Sequence, residues 1–182
     1  MTKALVVYGT RYGAAASTSE EIAKVLRESG VDAHVVNAKR EKVRSIAEYD
    51  LVIVGSGIQI NRWTGEPEDF LKKFHKELAK KKVALFVCCG SACPAMADEP
   101  DAVVEAKRKY LEEKAVKYNL QPVALGLFGG VYDFNKWPWW VSKRVRAVAM
   151  QRLETAGFQE IAPGFYDVRD WDAIRTWTKQ LA

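Results

Sequence analysis

Residues 3–18 read KALVVYGTRYGAAAST. An apolar run breaks at Gly9 into a turn of small and hydroxyl-bearing residues, then continues into the amphipathic stretch EEIAKVLRESG. Leu5, Val6 and Val7 are apolar at successive rather than alternate positions, the pattern of a strand buried on both faces of a parallel sheet. Ile22, Val25 and Leu26 recur at helical spacing behind it. Strand, tight turn and helix make the opening unit of an open α/β sheet.

The same unit recurs down the chain. VDAHVVN (31–37), YDLVIVGSG (49–57), KVALFVCCG (82–90) and QPVALGLFGG (121–130) read as four further strands. EPEDFLKKFHKELAKK and EPDAVVEAKRKYLEEKAVKY intervene, with inward stripes at Phe70, Leu71, Phe74 and Leu78 and at Val103, Ala106 and Tyr110. The pattern predicts a doubly wound, five-stranded parallel sheet with helices on both faces. A last helix is expected from Asp170 to Leu181, with Trp171, Ile174 and Thr178 or Leu181 inward. Ser17 with Glu20, or Thr18 with Glu21, fits a capping box opening the first helix, and Pro67 behind Glu66 suits the first turn of the second. Asp98 and Glu99 are expected to help start the helix after the fourth strand.

At 182 residues, 48% hydrophobic and 28% charged, the chain suits one globular domain over 1–182. No stretch approaches the roughly 18 uncharged apolar residues of a membrane span, and MTKALVVYG reads as a strand, not a signal peptide. A cytoplasmic location is expected. The three cysteines, Cys88, Cys89 and Cys93, are clustered, and the two histidines, His34 and His75, lie elsewhere. This is neither a disulfide framework nor a metal site. Cys88 and Cys89 continue an apolar run and are expected to be buried at a strand end.

In an open α/β sheet the ligand sits beyond the carboxyl ends of the strands. After the first strand, Thr10, Arg11, Tyr12, Gly13, Ser17 and Thr18 form a turn and helix start rich in donors and free of acidic side chains, suited to a phosphate. The sequence lacks GxxxxGK[ST] and GxGxxG, and the second strand ends in Asn37-Ala38-Lys39-Arg40 rather than the acid that would hold an NAD ribose. After the third strand, glycines precede Ile58, Gln59, Asn61, Arg62 and Trp63, where Trp63 either stacks on a flat ring or packs inward. Gly90, Ser91, Ala92 and Cys93 follow the fourth strand and face the other edge of the same ligand.

These features resemble the flavodoxin family. KALVVYGTRYGAAASTSEEIA is similar to its phosphate segment. TRxG, YDxVIVGSGI, FLKKFHKEL, the FGG end of the fifth strand and YDFNKWPWWVSKRV resemble the branch of menaquinone-dependent protoporphyrinogen dehydrogenases. The resemblance covers nearly the whole chain and implies strand order 2-1-3-4-5 and one FMN, its phosphate on Thr10–Gly13, Ser17 and Thr18 and its ring between Ile58–Trp63 and Gly90–Cys93. It implies a flavin oxidoreductase, with a porphyrinogen as substrate and a quinone as acceptor, or alternatively a shuttle between redox partner proteins. Two departures stand out: Ala14-Ala15-Ala16 lengthens the turn relative to TRxGxT, and SACPAMADEPDA replaces the branch's extended basic loop.

After the fifth strand, residues 134–153 hold five basic residues and no acidic one. They predict an added basic helix with Val141, Val145, Val148 and Ala149 inward. Trp137, Trp139 and Trp140 beside Lys143, Arg144, Arg146 and Arg152 suit an acidic surface: a membrane met through 137–152, a protein partner, or an acidic substrate. The formal net charge of +5 agrees, while no recognition helix or RNA-binding pattern points to nucleic acid. No side chain stands out as a general base.

Overall fold

The computed structural model describes residues 1–96 and 101–182. The expected start of the fourth-strand helix at Asp98 and Glu99 lies outside them. In chain order the elements are β1 (Lys3–Gly9), α1 (Ala14–Glu28), β2 (Asp32–Asn37), β3 (Leu51–Gln59), β4 (Arg62–Trp63), α2 (Gly65–Leu78) and β5 (Lys82–Cys88). There follow α3 (Ala102–Lys107), α4 (Glu113–Lys117), β6 (Ala124–Phe128), β7 (Val131–Asp133), α5 (Lys143–Thr155), β8 (Glu160–Ala162), β9 (Phe165–Asp167) and α6 (Trp171–Lys179).

The five long strands pair in parallel in the order β2-β1-β3-β5-β6, which is the expected 2-1-3-4-5 once the short β4 is set aside. Successive residues of each strand enter different cores, as a sheet clad on both sides requires. Leu5, Val7, Val52, Val54, Leu85 and Val87 meet α2 residues Phe70, Leu71, Phe74 and Leu78. Ala4, Val6, Leu51, Ile53, Ala84 and Phe86 meet Ile22 and Leu26 of α1 and Ile174 of α6. Asp170 caps α6, its Oδ1 accepting from the Ala173 N–H at 2.9 Å. Ile174 and Thr178 are fully buried, as their spacing predicts.

The stretch after β5 is not one regular helix. A wide π turn, Arg108–Glu112, separates α3 from α4 and turns the consecutive Tyr110 and Leu111 both inward. Within that turn the Tyr110 carbonyl accepts the Trp63 indole N–H at 2.8 Å.

Beyond β6 the chain builds a second, antiparallel sheet, β7-β9-β8, which sequence patterning did not reveal. Its strands are three residues each, too short for a period-two pattern to register. Tyr166, Val168, Phe134, Leu153, Ala149 and Cys93 make a third apolar cluster there. The basic helix forms as expected, capped by Ser142, but its inward face differs. Ala149 and Leu153 are buried, whereas Val145 and Val148 face solvent. The helix rests on the small sheet instead of the large one.

Among the ion pairs that hold helices together, Glu68 of α2 receives Lys114 Nζ at 2.9 Å and Lys117 Nζ at 2.6 Å from α4, with the Tyr118 hydroxyl at 3.0 Å. Burial alone would raise its pKa, but hydrogen bonds from Lys117, Lys114 and Tyr118 outweigh that and bring it down from 4.5 to about 2. A carboxylate depressed on folding stabilises fully above its unfolded pKa and loses that contribution as pH falls through the folded value. Glu68→Gln is therefore expected to lower stability by about 1–2 kcal/mol at pH 7, with the gap to wild type closing between pH 4.5 and about 2. Urea unfolding across that range checks it; a gap constant with pH would contradict the linkage.

Candidate functional site

β1 ends at Gly9, where its edge meets the start of α2, and the chain then turns through Thr10–Gly13 into α1. The Thr10 hydroxyl accepts the Gly13 N–H at 3.0 Å and folds the turn back on itself. Gly13 caps α1 in the left-handed region, φ 92°, with no side-chain cap. The helix thus begins at Ala14, not at Ser17 or Thr18, and neither expected capping box forms. Ala14, Ala15 and Ala16 do not lengthen the turn. They are the first turn of the helix, and their N–H groups have no acceptor within it.

Ser17 and Thr18 are displaced accordingly. The Ser17 N–H is already bonded to the Gly13 carbonyl at 3.1 Å, and its hydroxyl lies 3.2 Å from the same oxygen. Thr18 is fully buried, its hydroxyl accepting from Cys88 Sγ at 3.4 Å. Thr18 is part of the packing between α1 and β5, away from the mouth of the turn. What remains for an anion is the backbone of Arg11, Tyr12 and Ala14–Ala16, aided by the helix dipole.

At the carboxyl ends of β1, β3 and β5 a small pocket of about 60 Å³ opens to solvent, lined by Thr10, Arg11, Tyr12, Ala14, Gly57, Ile58, Cys88, Cys89, Gly90, Gly130 and Val131. Gly57 leaves one wall without a side chain, while Gly90 makes room for a neighbouring tyrosine. A side chain at Gly57 would find its nearest neighbours at 3.9 Å and would fill open space, whereas one at Gly90 would come within 2.3 Å of the Tyr132 hydroxyl. Tyr12 stands half-exposed at the rim, with Lys136 Nζ 6.0 Å from its ring. A flat ring can approach the backbone here, with the donors of the turn at one end.

The remaining expected contacts divide. Ile58 lines the pocket. Gln59 pairs with Arg62 across the β3–β4 hairpin, and Ile60 and Asn61 turn it at φ 49° and 58°. Asn61 accepts from the Tyr110 hydroxyl at 2.9 Å. Trp63 does not stack on a ligand: it is buried in the α2 core, with Lys114 Nζ 5.3 Å over its ring. Ser91 and Ala92 lie in a short 3-10 turn, Gly90–Ala92, and Cys93 packs into the third cluster. Ala92 and Cys93 face a neighbouring cavity with Phe128, Phe158, Val168 and Arg169. Lys39 and Arg40 are exposed.

Gly57 and Gly130 belong to the GSG and FGG runs and were within reach of the sequence. Arg169 was not. Its Nη1 donates to the Ala14 carbonyl at 3.0 Å, to the Ser17 hydroxyl, and reaches Thr18 Oγ1 at 3.5 Å. Its Nε and Nη2 fork onto the Asp167 carboxylate at 2.8 and 2.6 Å. Residue spacing carries no signal for a contact across 155 positions.

The sequence profile of the flavodoxin domain family matches residues 5–156. The protoporphyrinogen IX dehydrogenase [quinone] of Escherichia coli K12 is 20% identical over 181 residues, 99% of this chain and 94% of that protein. A short-chain flavodoxin associated with a non-canonical PDU bacterial microcompartment superposes with TM-score 0.53 at 16% identity, covering 70% of this chain and 82% of the other. Oxidised flavodoxin 1 from Bacillus cereus gives 0.51 at 21% identity over 86% and 95%. At these identities the likeness to solved structures is one of fold.

The cysteines of the pocket floor are inert by the same geometry. Burial pushes the Cys88 thiol up to about 12, against a weaker downward pull from Thr18, and burial pushes Cys89 up to about 11. Cys93, also buried, moves in the same direction for the same reason. The thiolate is the reactive form, so iodoacetamide at pH 8 is expected to leave all three unmodified in the native protein and to label all three in urea, read by intact mass. Native labelling of Cys88 would show that the floor opens.

Proposed function

The chain belongs to the flavodoxin domain family, whose cofactor is FMN, and from that premise we propose that it is an FMN oxidoreductase of the protoporphyrinogen dehydrogenase type. The observation that carries this reading is the pocket between Thr10–Ala14 and Gly57, Ile58 and Gly90. It joins an anion-binding helix start to a slot with one bare wall. Bound FMN supplies hydride and single-electron transfer.

The residues present suit that group. In this reading the N–H groups of Arg11, Tyr12 and Ala14–Ala16 bind the phosphate, with Arg11 adding charge. Gly57 lets main chain lie against the ring, Ile58 gives an apolar wall, and Tyr12 covers the exposed edge. Cys88 and Cys89 serve as an uncharged floor. No side chain of the pocket is assigned a proton-transfer role. Substrate oxidation rather than shuttling is supported by the dehydrogenase relative, matched over 99% of this chain and 94% of its own length. A porphyrinogen donor and a quinone acceptor follow from that relative.

No helix among the described residues is long and apolar enough to cross a membrane. A quinone would instead be met from the surface, where Trp139 is 92% exposed and Trp140 71%, beside the outward Val145 and Val148 and the basic Lys143 and Arg144. Aromatic and cationic side chains together suit an anionic lipid interface.

The purified protein is expected to be yellow, or to quench FMN fluorescence on titration, and to oxidise protoporphyrinogen with a quinone. Reduction only through a partner reductase would favour the shuttle instead. Gly57→Val is expected to weaken FMN binding by about tenfold or more by filling the slot, with little change in the melting temperature of the FMN-free protein. An unchanged dissociation constant would place the ring elsewhere. In a flotation assay, Trp139→Ala with Trp140→Ala is expected to reduce capture by anionic vesicles, and equal capture by zwitterionic vesicles would remove the electrostatic part of the reading.

A further inference from the structure

We infer that Arg169 is a positioning residue for the cofactor phosphate, supplied by a segment that lies beyond the residues the family profile matches. The inference rests on the FMN reading and adds to it a residue outside the pocket.

Its starting point is a charge pattern that runs against the usual one. Helix N-termini gather carboxylates because the dipole is positive there. The first turn of α1 has none. Arg11 precedes it instead, and the guanidinium of Arg169 lies against it. A lone cation in that place would destabilise the helix start, and the carboxylate of Asp167, paired with the guanidinium at 2.8 and 2.6 Å, offsets it.

Burial sharpens the point. The Arg169 side chain is only 7% exposed, and a buried charge is costly unless it is paired. Asp167 provides a two-point pair, and the Trp171 ring lies 4.2 Å from the guanidinium carbon. Between them they fix the plane of the fork. The one nitrogen left over, Nη1, is aimed at the Ala14 carbonyl and the hydroxyls of Ser17 and Thr18.

Arg169 therefore acts on the phosphate site in two ways. It ties Ala14 and Ser17 in place, so that the N–H groups of the first turn point into the pocket before any ligand arrives. It also brings a guanidinium, shared with Asp167, beside a turn whose alanines, Ala14, Ala15 and Ala16, bring no hydroxyl of their own. The backbone supplies direction, and Arg169 adds stiffness.

The test compares FMN with riboflavin, which has the same ring and no phosphate, by fluorescence titration of the FMN-free full-length protein. Arg169→Gln is expected to weaken FMN about tenfold while riboflavin stays within about twofold of wild type. Arg169→Lys keeps the charge but not the fork, and should lose about threefold of the preference for FMN. A variant that loses FMN and riboflavin equally, or neither, overturns the inference. If Arg169→Gln does not fold, Arg169→Lys decides: an unchanged FMN-to-riboflavin ratio overturns it. Wild-type protein that binds neither flavin overturns the FMN reading itself, a result distinct from wild-type binding with an unmoved ratio.

Discussion

A parallel sheet cannot leave a face in water, because its connections return across both faces and its strands are apolar throughout. The inner strands β1, β3 and β5 obey that constraint, while the edge strand β2 leaves Asp32 and His34 exposed. Ala4, Val6 and Phe86 point into one core while Leu5, Val7 and Leu85 point into the other. With both faces closed, the only surface left for a ligand is the rim where strands give way to loops. The helix that covers one face must also begin at that rim, so its unsatisfied N–H groups come to the same place as the bare ends of β3 and β5. The binding pocket is a by-product of burying the sheet.

That logic also marks what the sequence could tell. The strands and the stripes at Ile22, Val25 and Leu26 and at Phe70, Leu71, Phe74 and Leu78 were legible because burial forces periodicity. So was the tight turn from β1 into α1, whose hydroxyl at Thr10 holds the Gly13 N–H. The exact donors were not. Hydroxyls at Ser17 and Thr18 read as a helix start, yet a left-handed glycine at position 13 starts α1 earlier and carries both into its side. Trp63 was ambiguous for a related reason. Its indole nitrogen needed a partner, and the partner, the Tyr110 carbonyl, becomes available in a π turn that no pattern foretold.

The region after β6 was the least legible. Three short antiparallel strands and one helix share a small core of their own, and Val145 and Val148, which spacing alone would turn inward, are left outside because Ala149 and Leu153 already meet Tyr166 and Val168. Helical periodicity says which residues share a face. It does not say which sheet the face will find.

The contact between Arg169 and Ala14 joins residues 155 positions apart. Closing so long a loop comes late, after nearer pairings have repaid part of the chain's entropy. During synthesis β1, β3 and β5 can assemble while the tail is still being made, and the anion site on α1 is braced only when residue 169 has joined the fold.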